Sequence, residues 1–496
     1  ARRGIAYYDA LPAALRTPQT ERNRALAQVR YGAVLRTQGK VEEGLKLTNE
    51  AVGTLDRLRG QGDDSEATAI GMALGQTVQA RLEWNVGRTE QALAMSDRAV
   101  EAIKPLATAQ KASVAARRAY GEALNMNGFL KLQSARQYEA AIAALDEARR
   151  IQRSIDDLQM TDLTAAAAYA EAAGWQVEAY VMLARGEDVK RTAQEADRVA
   201  AQVLEKRPGH MQALRARALV SSTLSRYYLD ELKLQEALQS AQAAEQAWRE
   251  FVRLDPGNAV SWSNLGAATI NRLNTLEDMG RASEAMDAAR AVIALESTAP
   301  ASELVYRRIF VASGRLALME AARGNVAGME QALAINARMT QWATENFGMH
   351  ESLRRAGPLV TEAWRLYALS ALGDFQQVLA RGPVLLAKWE AFTPGDRGQN
   401  EMRIDNLTGI QRSLARAAYE MKDYSAAERS AAKVPELERE ARGDSVRLDD
   451  QRLVMFDRIE RALVLARLGR SAEAQKLAAE GLQFERALAA RNHDSA

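Results

Sequence analysis

The stretch ALAQVRYGAVLRTQGKVEEGLKLTNEAV, Ala25–Val52, decides the fold. Its first half places Leu26, Val29, Ala33, Val34 and Leu35 on a period near 3.6, the stripe of an amphipathic helix. Gly39 then stops the helix cheaply, because glycine alone enters the left-handed backbone region without a Cβ clash. A second amphipathic segment follows, with Gly44 and Ala51 as small residues. The stretch therefore reads as helix, turn, helix.

Working outward, the same turn recurs at Gly87, Arg136, Gly186, Leu232, Gly280, Gly324, Gly373, Lys422 and Gly469. Successive gaps from Gly39 are 48, 49, 50, 46, 48, 44, 49, 49 and 47 residues. A small residue follows most turns at a near-fixed offset: Gly44, Ala92, Ala141, Ala237, Ala285, Ala427 and Ala474. So regular a period predicts stacked units that share one continuous core, rather than a globular enzyme. Strand signals are missing, and Met455–Leu468 repeats the helical spacing at Met455, Phe456, Ile459, Ala462, Leu463 and Leu465.

Composition agrees with an ordinary folded chain. Of 496 residues, 47% are hydrophobic and 26% charged, with only 10 Pro and 31 Gly to break elements. The net charge of +2 supplies no general field for nucleic acid or an anionic membrane. With no Cys, disulfides, thiolate chemistry and Cys-based zinc sites are excluded. No run approaches the ~18–20 apolar residues that span a bilayer. The Ala- and Arg-rich bias suits a high-GC bacterial source.

The unit resembles a tetratricopeptide repeat. The best local match is Trp262, Leu265 and Gly266, preceded by the junction-like Leu254-Asp255-Pro256-Gly257-Asn258. Further matches are Gly32, Gly39 and Ala51; Ala80, Gly87, Ala92 and Ala99; Ala141 and Ala148; and Trp175, Ala179 and Gly186. Near the C-terminus they are Leu414, Ala415, Tyr424 and Ala427, then Ala462, Gly469 and Ala474. Small residues at these sites let paired helices approach closely. A standard unit is about 34 residues, so this chain resembles a long-helix variant of the kind found in bacterial signalling and regulatory proteins. The expected fold class is all-α: a right-handed α-α superhelix, a TPR-like solenoid of about ten helix-turn-helix units.

Residues 1–19 read as the end of a preceding unit or an N-terminal cap, and 20–496 as one continuous solenoid. Arg2–Ala10 with Leu11-Pro12 resembles a second helix and junction, so an upstream continuation is expected. Loop-like breaks are predicted near 60–64, 297–301 and 393–400, and Asn271–Gly280 as an insertion or helix extension.

Catalytic signals are poor. His210, His350 and His493 form no metal motif, and no phosphate-cradling glycine loop or nucleophile elbow is present. The acidic pairs Asp63-Asp64, Asp156-Asp157 and Asp449-Asp450 lack the alternating ligands of a calcium loop and read as solvated or helix-capping groups. Arg307-Arg308 and Arg354-Arg355 read as surface pairs, with anion contacts as the alternative. Trp175, Trp262 and Trp364 read as filling between helices, with an aromatic pocket as the alternative.

The resemblance implies that the first helix of each unit lines a concave face. The residues it carries there are Arg36, Thr37, Asn85, Gln176, Tyr180, Ser222, Arg226, Ser263, Asn271, Arg412, Arg416 and Tyr419. A polar groove of this kind takes an extended peptide or a helix through distributed contacts. The expected partner is a protein or peptide. No nucleic acid, membrane insertion, metal, cofactor or catalysis is expected, and self-association is left open. The expected role is the sensor or interaction arm of a larger bacterial signalling or defence protein. The alternatives are a small-ligand-sensing regulator and an envelope assembly or secretion scaffold. The expected compartment is the cytoplasm, with the periplasm as the alternative.

Overall fold

The computed structural model describes residues 1–346, 351–395, 397–442 and 448–493. Among these residues the elements are helices and no strand is present. A short α1 (Arg2–Asp9) has no buried residue and is tied to the next helix by the Arg24–Asp9 ion pair at 2.6 Å. Ten helix-turn-helix pairs follow among the described residues. They are α2 (Pro18–Thr37) with α3 (Val41–Gly60), α4 (Glu66–Asn85) with α5 (Thr89–Ala107), and α6 (Val114–Gln133) with α7 (Tyr138–Asp156). Next come α8 (Leu163–Met182) with α9 (Gly186–Lys206), and α10 (Met211–Asp230) with α11 (Leu234–Leu254). Then α12 (Ala259–Asp278) pairs with α13 (Ala282–Ile293) and its one-turn continuation α14 (Leu295–Thr298), and α15 (Glu303–Ala322) with α16 (Val326–Asn346). The last pairs are α17 (Glu351–Leu372) with α18 (Phe375–Glu390), α19 (Arg397–Glu420) with α20 (Tyr424–Ala431) and α21 (Val434–Arg442), and α22 (Leu448–Arg467) with α23 (Ser471–His493).

Each pair turns on one left-handed residue. Nine of the predicted turn residues have positive φ: Gly39, Gly87, Arg136, Leu232, Gly280, Gly324, Gly373, Lys422 and Gly469. The tenth is Ala184 (φ 53°) and not Gly186, which instead begins α9. This correction makes the gaps on either side 48 and 48 residues. The motif is a backbone one. The residue after the turn donates its N–H five residues back, as in Lys40 to Leu35 (2.9 Å), Arg185 to Tyr180 (2.9 Å) and Lys233 to Tyr228 (2.8 Å).

The position five residues after each turn is core. Ala92, Ala141, Ala237, Ala285 and Ala427 are fully buried there. Where the small residue is missing, Val189, Met329 and Val378 fill the same place, each at most 2% exposed. In the first pair the approach is close: a Cβ on Gly44 would stand 3.1 Å from the Gly32 carbonyl oxygen. The expected insertion at Asn271–Gly280 is absent, because α12 has 20 residues, as do α2, α4, α6, α8 and α10. The insertion followed only from imposing a 34-residue register on longer helices.

The chain divides into two compact units, with α10, α11 and α12 each shared between them. Unit 1 comprises Ala1–Arg226, Gln239–Ala268 and Ala299–Val305; unit 2 comprises Tyr227–Leu238, Thr269–Thr298 and Tyr306–Ala496. Within unit 1, bonds between residues 41 to 48 apart join a first helix to the next first helix or to the loop ahead of it. Examples are Arg22–Asp63 (3.1 Å), Arg118–Asp162 (2.6 Å), Arg215–Glu171 (2.7 Å) and Arg226–Glu178 (3.0 Å). The segment Ala299–Val305 lies against the first turn, since a Cβ on Gly39 would be 3.3 Å from Ser302 Cβ. Unit 2 packs α17, α18 and α19 around Trp389 and Ile410, both fully buried, with Leu366, Leu385 and Leu407.

Candidate functional site

The expected site residues divide into those engaged in packing or internal bonds and those that line an open groove. Gln176 is fully buried; its Nε2 donates to Asp146 (2.6 Å) and its Oε1 accepts from Arg149 (2.7 Å). Ser263 is buried and donates to the Leu304 carbonyl at 3.0 Å. Tyr180 is buried under the Arg185 guanidinium, 4.8 Å from its ring centre, and burial raises its hydroxyl pKa. Arg226 pairs with Glu178, and Thr37 donates to the Val34 carbonyl at 2.7 Å. Ser222 and Asn271 are half-buried on α10 and α12.

Arg412, Arg416 and Tyr419 come together in unit 2. Their 4- and 3-residue spacing puts them on one face of α19. They line a cavity of about 530 Å³ with Phe456, Glu460 and Leu463 of α22. Arg412 is locked: its Nε and guanidinium hold Asp457 at 2.7 and 2.6 Å, and Glu438 at 2.7 Å. Those acceptors overcome the effect of burial and hold the Arg412 pKa above its ordinary value. Tyr419 accepts from Arg467 at 3.2 Å. Phe456 (54% exposed) and Leu463 (51%) are open, so the groove has a fixed polar wall and an apolar one reachable by a partner.

Asn85 closes α4 with its Oδ1 buried and unbonded, and Arg36 belongs to a charged group in unit 1, most of which the sequence reading missed. It adds Arg81, Glu122, Glu171 and Arg215. Arg81 stacks over Phe129 at 4.2 Å, and Phe129 sits edge-on to Trp84 (4.9 Å) and Trp175 (4.7 Å). Burial, then Arg215, lowers the Arg36 pKa to about 10. Burial, then Arg36 and Arg215, lowers that of Arg81 to about 9. Burial also raises the Glu122 carboxyl, although Arg118 opposes it.

The other candidates resolve into structural roles. Asp63 accepts from Arg22, Ser65 and Thr68, and the Ser65 and Thr68 bonds lower its pKa to about 2. Asp156 accepts from Thr161 and Asp162 in the loop before α8. Trp175, Trp262 and Trp364 sit in three different core clusters and form no shared pocket. Arg355 lies 5.5 Å from the Phe392 ring centre. Arg307 is exposed and Arg308 half-buried on α15. His350 lies outside the described residues, as do the side chains of His493, Arg354, Asp449 and Asp450. Among the described residues, no group of three or more His, Asp or Glu gathers as a metal site, and no helix is long and apolar enough to cross a membrane.

These features define a class: the chain is a TPR-like helical-repeat solenoid. No known family profile and no curated protein sequence matches it. Among solved structures it is similar to the apo form of RapI, at 10% identity over 85% of this chain and 99% of that one, with a TM-score of 0.49. It is similar to aspartyl phosphate phosphatase F from Bacillus subtilis, at 13% identity over 86% and 96%, with a TM-score of 0.44. A third is the human IFIT1 dimer with PPP-AAAA, at 14% identity over 97% and 93%, with a TM-score of 0.35.

Proposed function

We propose that the chain is a binding scaffold for a protein or peptide partner and has no catalysis of its own. The α19–α22 groove carries this reading: exposed Phe456 and Leu463 face the polar row Arg412, Arg416 and Tyr419. A cavity of about 530 Å³ holds a few side chains of a longer segment. Its strongest charged group, Arg412, is spent on Asp457 and Glu438, which suits a fixed binding wall better than proton transfer. By the same reading, the chain is the interaction arm of a bacterial signalling or defence protein, with its Ala- and Arg-rich composition as support for the bacterial part.

The test is display of random dodecapeptides against the full chain, with counter-selection on Phe456→Ala/Leu463→Ala. Both side chains are more than half exposed, so the variant should keep its stability. Enriched peptides should carry an apolar anchor and lose about tenfold or more in affinity on the variant. No enrichment, or equal binding to both proteins, would overturn the reading.

A further inference from the structure

We infer that, given the α19–α22 groove as the binding site, Glu460 sets its selectivity and the occupant is an amphipathic helix with a lysine or arginine between two apolar residues seven apart.

The α22 wall of the groove is a stripe of three exposed side chains. Phe456, Glu460 and Leu463 follow one another at 4 and 3 residues, so they share one helix face, and all three line the cavity of about 530 Å³. Among the described residues, Glu460 makes neither an ion pair nor a side-chain hydrogen bond, although arginines flank it on α22. Those arginines are committed elsewhere. Arg458 holds Glu480 of α23 at 2.6 Å, Arg461 holds Glu428 of α20 at 2.6 Å, and Arg467 donates to Tyr419 at 3.2 Å. The Glu460 carboxylate therefore stands between two apolar side chains with no cation of its own.

The opposite wall does not supply one. Arg416 and Glu420 of α19 are both exposed and unpaired among the described residues, one turn apart, so their charges offset each other. Arg412 is outnumbered by the two carboxylates it binds, Asp457 and Glu438. The groove keeps an acidic excess, and a cation flanked by apolar groups is its complement.

The spacing selects a helix. Residues seven apart on α22 lie about 10.5 Å apart along its axis. A helical ligand repeats that distance between its own positions i and i+7, with i+4 between them on the same face. The same-face residues of an extended peptide fall at about 6.6 Å or about 13 Å instead. Charge opposes a second copy of this chain, because a two-fold packing of the stripe on itself sets Glu460 against Glu460.

The probes are labelled, side-chain-stapled helices of about 14 residues, titrated into the full chain and followed by fluorescence anisotropy. Each carries leucine at i and i+7, with lysine, glutamine or glutamate at i+4. The wild type should bind the lysine helix about tenfold or more tighter than the glutamate helix. Glu460→Gln should erase that order and Glu460→Lys should invert it, with Tm unchanged because the side chain is exposed and unpaired. Equal wild-type affinities for the three helices overturn the inference, as does an order that survives Glu460→Lys. So does equal binding of an unstapled lysine peptide with a central proline, which assigns the groove to an extended chain. A wild-type dimer in light scattering that Phe456→Ala/Leu463→Ala dissolves assigns the stripe to a second copy, and overturns it too. If displayed peptides need Phe456 and Leu463 while the three helices bind alike, the groove stands and only the selectivity of Glu460 falls. If the lysine helix binds Phe456→Ala/Leu463→Ala as tightly as wild type, the groove itself falls.

Discussion

Gly32→Ala should destabilise the chain, and Thr48→Ala should reverse the sign of that effect. A methyl on Gly32 would lie 2.5 Å from Thr48 Oγ1, about 0.9 Å inside ordinary contact, and 3.3 Å from the Gly44 carbonyl oxygen. Thr48 is fully buried and cannot swing away without breaking its bond to that same carbonyl. Overpacking of this kind costs about 1–3 kcal/mol. Alanine returns about 0.5–1 kcal/mol of helix propensity. The net loss is therefore about 1–2 kcal/mol in the wild type. With Thr48→Ala the closest contact is gone and the propensity gain remains, so Gly32→Ala should stabilise by up to about 1 kcal/mol. Urea unfolding followed by helical signal, with hydrogen exchange on α2 and α3 to localise the change, closes the cycle. The close-approach argument fails if Gly32→Ala has the same effect in both backgrounds.

Three other outcomes follow from single sites. Ala184→Gly should stabilise by about 1 kcal/mol, because Ala184 pays a left-handed penalty at φ 53°; an unchanged or lower melting temperature would refute the turn assignment. Burial, then Arg207, depresses the His210 pKa below 6.5, so its contribution is present above pH 6.5 and is lost as pH falls from there. His210→Asn should flatten that part of the pH–melting curve while keeping a side-chain acceptor ahead of α10. Arg412→Leu should cost about 3 kcal/mol by removing the guanidinium that both buried carboxylates, Asp457 and Glu438, bind, and Arg412→Lys should recover only part of it. Equal denaturation midpoints for wild type and Arg412→Leu would show that the pair is not structural.

The fold was legible because the repeat writes its turns in glycine. It was legible even at Arg136, Leu232 and Lys422, where the period located left-handed residues that composition would never suggest. Ala184 was missed for the converse reason: Gly186 stood nearby, and residue type outweighed an even 48-residue step. The row five residues after each turn reads in the sequence as a run of small residues. Val189, Met329 and Val378 show that it is a volume rule, set by how closely each pair crosses. Arg412, Arg416 and Tyr419, which the resemblance put on a first helix, fall together because one helix carries them all at 4- and 3-residue spacing. Arg81 and Glu171 could not be read from spacing, because their meeting depends on how several units stack.

That stacking also explains why the polar residues of the first helices separate so cleanly into two kinds. A first helix is flanked by its own partner, by the preceding second helix and by the neighbouring first helices. On α8, 13 of 20 residues are buried. Only a narrow row per unit stays open to a ligand. A polar side chain beside that row must find a neighbour, as Gln176 and Ser263 do, or remain costly. Exposed second-helix positions face no such choice, since water satisfies them. An unpaired guanidinium on a second helix is therefore ordinary.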